Sequence, residues 1–264
     1  MGDRDSIKFM GTAGARFVVS KQLRYSAGTW CSFKGVNICI DPGPGTLVRC
    51  LKSNPPLDPE TLEAIILSHR HLDHSTDINV LIEAMTCGRL RRRGAVFAPA
   101  DAINTPEPVI FSYLHSAVER TEILSSGRYY SIRDLSFTTP VRHQHGVETY
   151  GFKFFLDYGT VSFITDTLFS PELAEYYHCD LLIMNVVLCD PIHSEGIYHL
   201  NLKDACKLIQ AIKPRGGVVI THFGLTMLKS KPWKLAEEIS QSTGIRVISA
   251  FDGMQIYPKE LISP

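Results

Sequence analysis

The sequence predicts a layered α/β domain that takes in residues 1–264, and three observations predict it. Short runs rich in β-branched and aromatic residues alternate with segments that are apolar at helical spacing. No low-complexity or Pro/Ser-rich linker divides them. Histidines and aspartates recur just past the most apolar runs, where strand ends in such folds carry chemistry. With 44% hydrophobic and 20% charged residues, the chain can bury one sizeable core.

Taken in order, Ile7 to Met10, Thr29 to Phe33 and Val36 to Ile40 read as strands. Asp41-Pro-Gly-Pro-Gly then breaks the backbone before a helical run from Thr46 to Leu51. Ile65 to Leu67 reads as a brief buried strand. Asp77 to Thr86 reads as a helix with Ile78, Leu81, Ile82 and Met85 on one face and Asp77 placed to favour its first turn. Between Arg89 and Arg120 only Ala95 to Ala98 reads as a strand. A strand-rich meander follows: Tyr129 to Ile132, Leu135 to Thr139, Tyr150 to Leu156 and Thr160 to Ile164. Strands at Leu181 to Val187 and Val218 to Thr221 then alternate with helices at Leu202 to Ile212, capped by Asn201, and Trp233 to Ser240.

The 27 basic and 27 acidic residues cancel, so no whole-molecule field draws the protein to nucleic acid or to a membrane surface. Seven scattered cysteines form no C-x-x-C pair and cannot close a complete disulfide framework. The polar, acidic first residues do not read as a leader, and no run reaches the ~18 apolar residues of a membrane span. The expectation is a soluble, cytoplasmic protein with reduced thiols.

Ser68-His69-Arg70-His71-Leu72-Asp73-His74 carries the chemistry. Its four ligand-type side chains would spread over roughly 17 Å in an extended chain, whereas ligands of paired metals must converge within a few ångströms. The segment must therefore curl into a loop after the strand ending at Leu67. Imidazole and carboxylate donors without a thiolate suit Zn²⁺, Mn²⁺ or Fe in a hydrolytic site rather than a structural zinc. A dinuclear site needs more donors, and the sequence offers them beside other buried runs: His145, Asp166 and His222. Arg70 and the run Arg89, Arg91, Arg92, Arg93 read more readily as solvated loop residues than as anion contacts, since no aromatics interleave the run.

H-x-H-x-D-H followed by separate His, Asp and His resembles the metallo-β-lactamase superfamily over nearly the whole chain. The resemblance implies a four-layer αβ/βα sandwich, two mixed sheets flanked by helices, with Asp41 supporting the site from behind its ligands. Tyr150-Gly151-Phe152 behind His145, Ile164-Thr-Asp-Thr167 and Thr221-His-Phe-Gly224 look most like the branch of ribonuclease Z and the cyclic phosphate phosphodiesterases.

That resemblance implies two divalent ions, zinc foremost with manganese or iron as alternatives. His69, His71 and His145 would hold one, Asp73, His74 and His222 the other, and Asp166 would bridge. His143 competes with His145, which is preferred because its distance to Gly151 matches the family spacing. His199 matches a histidine beside the metals that acts as proton donor or charge stabiliser, with His193 as a weaker candidate; Asp73 and His199 are the expected catalytic groups. The implied reaction is phosphodiester hydrolysis by a metal-bridging hydroxide, on a small or nucleotide-like substrate, in a possible homodimer.

Two departures disfavour transfer-RNA processing: the RNA-gripping arm between the positions of His145 and Asp166 is missing, and Asn185 stands where ribonuclease Z has a glutamate. An acyl hydrolase acting on a lactone, thioester or β-lactam is the alternative reaction. A noncatalytic metal- or nucleic-acid-binding protein on the same fold is a third reading.

Overall fold

The computed structural model describes residues 4–26, 28–104, 106–192 and 196–263; His193 lies outside them. Six strands open the chain: β1 (Ser6–Phe9), β2 (Thr29–Phe33), β3 (Val36–Ile40), β4 (Leu62–Ile66), β5 (Ala95–Ala98) and β6 (Arg120–Ile123). Seven more follow: β7 (Arg128–Ile132), β8 (Leu135–Thr139), β9 (Phe152–Leu156), β10 (Gly159–Ile164), β11 (Leu181–Asn185), β12 (Val218–Thr221) and β13 (Val247–Ser249). A short β14 (Gln255–Ile256) returns to pair with β1.

These strands make two seven-stranded sheets, ordered β14-β1-β2-β3-β4-β5-β6 and β13-β12-β11-β10-β9-β8-β7. Each is antiparallel in one part and parallel in the other, with β3 to β6 parallel in the first sheet and β10 to β13 in the second.

The alternation of side chains explains the layering. On β11, Leu181 and Ile183 join the core between the sheets, whereas Leu182 and Met184 join the core under the outer helices. On β4, Ala64 and Ile66 face inward between the sheets while Ile65 meets the other helical layer; a register irregularity after Leu62 puts that residue on the helical side as well. Strands buried on both faces are near-continuous apolar runs, interrupted here by Glu63 on β4 and by Asn185 at the end of β11.

Helices cover both outer faces. In chain order they are α1 (Ala15–Ser20), α2 (Thr46–Leu51), α3 (Leu72–Ser75), α4 (Ile78–Met85), α5 (Ala100–Ile103), α6 (Leu173–Tyr176), α7 (Leu202–Ile212), α8 (Leu225–Lys229), α9 (Pro232–Thr243) and α10 (Pro258–Ile262). α4 buries Ile78, Leu81, Ile82 and Met85 as its spacing predicts. Asn201 caps α7, its side chain accepting from the Asp204 N–H at 3.1 Å. No described helix is long and apolar enough to cross a membrane, and all seven cysteines are unpaired.

The four-layer sandwich is therefore the observed architecture, with local departures. β4 starts at Leu62, three residues before the expected strand. β6 was not legible because its residues are only partly buried or exposed, and it is held by pairing with β5 rather than by an apolar face. α1 and β13 were missed for the same want of periodicity: each is short and buries a single residue, Val18 and Val247 respectively. Asp77 does not cap its own helix; its carboxylate accepts instead from the Leu47 N–H of α2 at 3.0 Å.

Candidate metal centre

The carboxyl ends of β3, β4, β10, β11 and β12 gather at one edge of the sandwich, and each delivers a polar residue there: Asp41, His69, Asp166, Asn185 and His222. The two sheets are tied together at this edge. Tyr150 N–H donates to Ser68 O at 3.1 Å, and Phe223 N–H donates to Thr12 O at 2.8 Å. The site is therefore built on rigid strand ends rather than on a free loop.

The dense motif curls by forming one helical turn, α3, not by looping throughout. His71 occupies the N-cap position, and Asp73 and His74 lie in the turn. Gly43 makes the curl possible, because a Cβ there would stand 2.0 Å from Asp73 O and 2.2 Å from Ser26 O.

Seven side chains converge. His69 Nε2 and His145 Nε2 lie 3.0 and 3.1 Å from His71 Nδ1, and His74 Nε2 lies 3.1 Å from His222 Nε2. Asp73 Oδ2 is 3.5 Å from His222 Nε2 and 3.8 Å from His74 Nε2. Between the two groups sits Asp166 Oδ2, 4.0 Å from His69 Nε2 and 3.5 Å from both His74 Nε2 and His222 Nε2. Three overlapping sets of donors, His69/His71/His145, His69/His74/Asp166 and Asp73/His74/His222, each fall within 4.8 Å.

The hydrogen bonds behind these rings determine which nitrogens face inward. Ser68 Oγ donates to Asp41 Oδ2 at 2.7 Å, so it can accept from His69 Nδ1 at 2.9 Å and leave Nε2 without a proton. His145 Nδ1 donates to Tyr198 O at 2.9 Å. His74 Nδ1 donates to Asp41 Oδ2, also at 2.9 Å. Bare nitrogen lone pairs then face one another at hydrogen-bond distance, and a single ring proton on His71 could satisfy only one of its two neighbours. A cation between them removes the conflict, and the remote N–H bonds to carboxylate and carbonyl are what orient imidazole ligands. The donors are imidazole and carboxylate, which fits a hydrolytic divalent ion.

The electrostatics agree. Burial alone would lower the His74 imidazole, but Asp73, Asp41 and Asp166 outweigh it and hold it well above its ordinary value. His222 behaves likewise: against its burial, Asp166 and Asp73 push it up to about 9. Carboxylates around both rings thus demand positive charge, which a metal supplies in place of protons. At the other group burial dominates: it holds His69 well below its usual value and brings His71 down to about 4, helped by His145 and His74. Neutral imidazole is the ligating form. Asp166 stays ionised because His222, His199 and His74 outweigh its desolvation.

His143 does not join the cluster. It is buried behind it, with Nε2 2.8 Å from the Tyr177 hydroxyl and Nδ1 3.3 Å from Asp166 O. Gly151 explains the packing, since a Cβ there would press within 2.8 Å of the His143 ring. His145 faces inward instead. His199 stands at the rim, its Nδ1 buried without a hydrogen bond and 3.5 Å from Asp166 Oδ2. Arg70 reaches Asp101 O at 3.3 Å. In the arginine run, Arg92 donates to Val118 O and Glu119 O, and Arg93 to Glu60 O and Leu62 O.

One role was not legible. Asn185 Nδ2 donates to Asp166 Oδ1 at 2.8 Å. Only its place at the end of β11, beside the strand that carries Asp166, could have hinted at this contact.

Residues 36–223 match the model of the β-lactamase superfamily domain. An uncharacterised protein of Methanocaldococcus jannaschii is 30% identical over 260 residues, covering 96% of this chain and 95% of that one. Among solved structures, the metallo-β-lactamase fold protein YhfI from Bacillus subtilis superposes with a TM-score of 0.78 at 18% identity, covering 96% of this chain and 99% of its own. The short form of human tRNase Z superposes with a TM-score of 0.68 at 16% identity, covering 95% and 98%.

Proposed function

The chain belongs to the β-lactamase superfamily and has the metallo-β-lactamase fold; from that premise we propose that it is a metal-dependent hydrolase of the ribonuclease Z branch that cleaves phosphodiesters. His69, His71 and His145 would hold one divalent ion and Asp73, His74 and His222 a second, with Asp166 between them. The observation that carries this reading is the position of Asp166 Oδ2, at 3.5 to 4.0 Å from the nitrogens of both groups. Zinc fits the donors best, with manganese or iron as alternatives.

When bound, such ions supply Lewis acidity and a water nucleophile at neutral pH. The chain's own residues do the rest. Asp73 and Asp166 cancel only part of the charge of two divalent ions, so the centre attracts anions. Asn185 and Asp41 hold the orientation of Asp166 and His74. His199 lines the opening with His71, Asp73 and His145 but stands outside both donor groups; in this reading its ring would hydrogen-bond the departing oxygen.

The test is hydrolysis of bis(p-nitrophenyl) phosphate by protein stripped of metal and reloaded with Zn²⁺ or Mn²⁺, run beside a thioester and a lactone. Metal-dependent turnover of the phosphodiester, lost in His71→Ala and reduced more than any acyl activity in His199→Ala, is expected. Turnover unchanged in His71→Ala, or confined to the acyl substrates, overturns the proposal.

A further inference from the structure

Two cavities meet at the rim of the centre. One, of about 380 Å³, opens over His71, Asp73, His145 and His199. The other, of about 540 Å³, lies on the far side of His199 between α1 and α8, and its walls are apolar: Phe17, Val187, Leu188, Ile192, Ile197 and Leu225. Ala15, Arg16, Gly196 and His199 border both, so the second cavity continues the first.

The α1 helix builds the shared wall. Val18 is fully buried and pins it to the fold, which leaves Phe17 63% exposed at the apolar cavity. Ile192, across the opening, is 44% exposed. Apolar side chains clustered around a concave surface beside a charged centre are the usual form of a ligand site. Arg16, on the border, makes no hydrogen bond or ion pair among the described residues, and its guanidinium is available to an anion.

The wall chemistry narrows the ligand. Besides Arg16 and His199, the polar side chain on the apolar cavity among the described residues is Thr226, whose Oγ1 accepts from the Cys189 N–H at 3.1 Å and keeps one proton to donate. No amide or carboxylate side chain lines it among the described residues. A nucleobase placed there would find fewer side-chain partners than its polar edge needs, at a cost that an alkyl chain does not incur.

Resting on the phosphodiester reading above, we infer that this second cavity seats an alkyl arm of the substrate, with Arg16 beside the charged phosphoryl group. The enzyme would then prefer alkyl phosphoesters to nucleotides.

Calorimetric titration of the metal-loaded protein with methyl-, butyl- and hexylphosphonate tests the cavity without requiring turnover. Affinity should rise about 30- to 100-fold from methyl to hexyl, each methylene gaining roughly half of its full transfer value in a cavity open on one side. Phe17→Ala combined with Ile192→Ala should cut that ratio by about fivefold or more. In parallel, kcat/KM for alkyl p-nitrophenyl phosphodiesters, with the leaving group constant, should follow the same order and exceed that for thymidine 5′-p-nitrophenyl phosphate. Equal affinities across the phosphonates, no phosphonate binding, or a ratio unmoved by the double variant overturns the inference. A rising affinity without cleavage of any phosphodiester keeps the alkyl site and overturns the phosphodiesterase reading alone.

Discussion

Asn185 and Asp166 share a hydrogen bond of 2.8 Å from Nδ2 to Oδ1, and it turns the other carboxylate oxygen of Asp166 toward the rings of His69, His74 and His222. Asn185→Ala should therefore weaken divalent-metal binding by about 10- to 100-fold, the usual penalty for losing an orienting partner. Competition with a chromophoric chelator measures it. An affinity equal to that of the parent protein would mean that Asp166 is held by other contacts.

Gly43→Ala should be more damaging than its size implies. The new methyl would meet two backbone carbonyls at 2.0 and 2.2 Å, neither of which can swing aside as a side chain could. The expected outcome is loss of stoichiometric metal together with a lowered melting temperature. Gly35→Ala is the control, since a Cβ there meets nothing within 4 Å and only the strain of φ +74 is added. Equal metal content in the two variants would refute the packing argument.

Phe137 is the keystone of the layer between the sheets. Its ring lies 5.2 Å from Phe97 of the first sheet, and 5.1 and 5.4 Å from Tyr130 and Phe154 of the second. Phe137→Ala should cost about 3–5 kcal/mol in urea unfolding. A loss below about 1 kcal/mol would show that the two sheets close over the gap.

Acid should unfold the protein in part through Asp180. Despite some desolvation, its carboxyl is held below the ordinary value by the Thr160 N–H at 2.7 Å, the Thr160 hydroxyl and the Arg215 guanidinium at 2.6 Å. A carboxylate lowered on folding contributes stability above its unfolded value near 3.8, and loses it as pH falls through the lower folded value. Asp180→Asn should therefore lower stability at neutral pH and flatten its dependence below about pH 4. Parallel acid limbs for the two proteins would exclude the contribution.

Much of the fold was legible because its central strands are buried on both faces and its principal helices are amphipathic. The apolar runs Leu181 to Val187 and Val218 to Thr221 contain β11 and match β12, and the spacing from Asp77 to Thr86 contains α4. β6 was not legible, because an edge strand of partly exposed polar residues takes its conformation from the ladder beside it. α1, which walls the apolar cavity, offers no more than one buried residue to betray it.

The candidate centre divides in the same way. Its donors could be read from the chain because ligand chemistry restricts them to a few residue types, and because a strand end leaves a short list of places for each. Which imidazole turns inward could be read only through the resemblance, whose His-to-Gly151 spacing prefers His145, since by ligand chemistry alone His143 and His145 are equally able to coordinate. Their difference lies in Tyr177 and Gly151, which enclose one ring, and in the Tyr198 carbonyl, which aims the other. The local sequence thus determined what could bind a cation and where the backbone would carry it. The orientation of each ring, the grip of Asn185 on Asp166 and the cavity beyond His199 were decided only when strands distant in sequence were brought side by side, because hydrogen-bond direction and concavity are properties of neighbours in space.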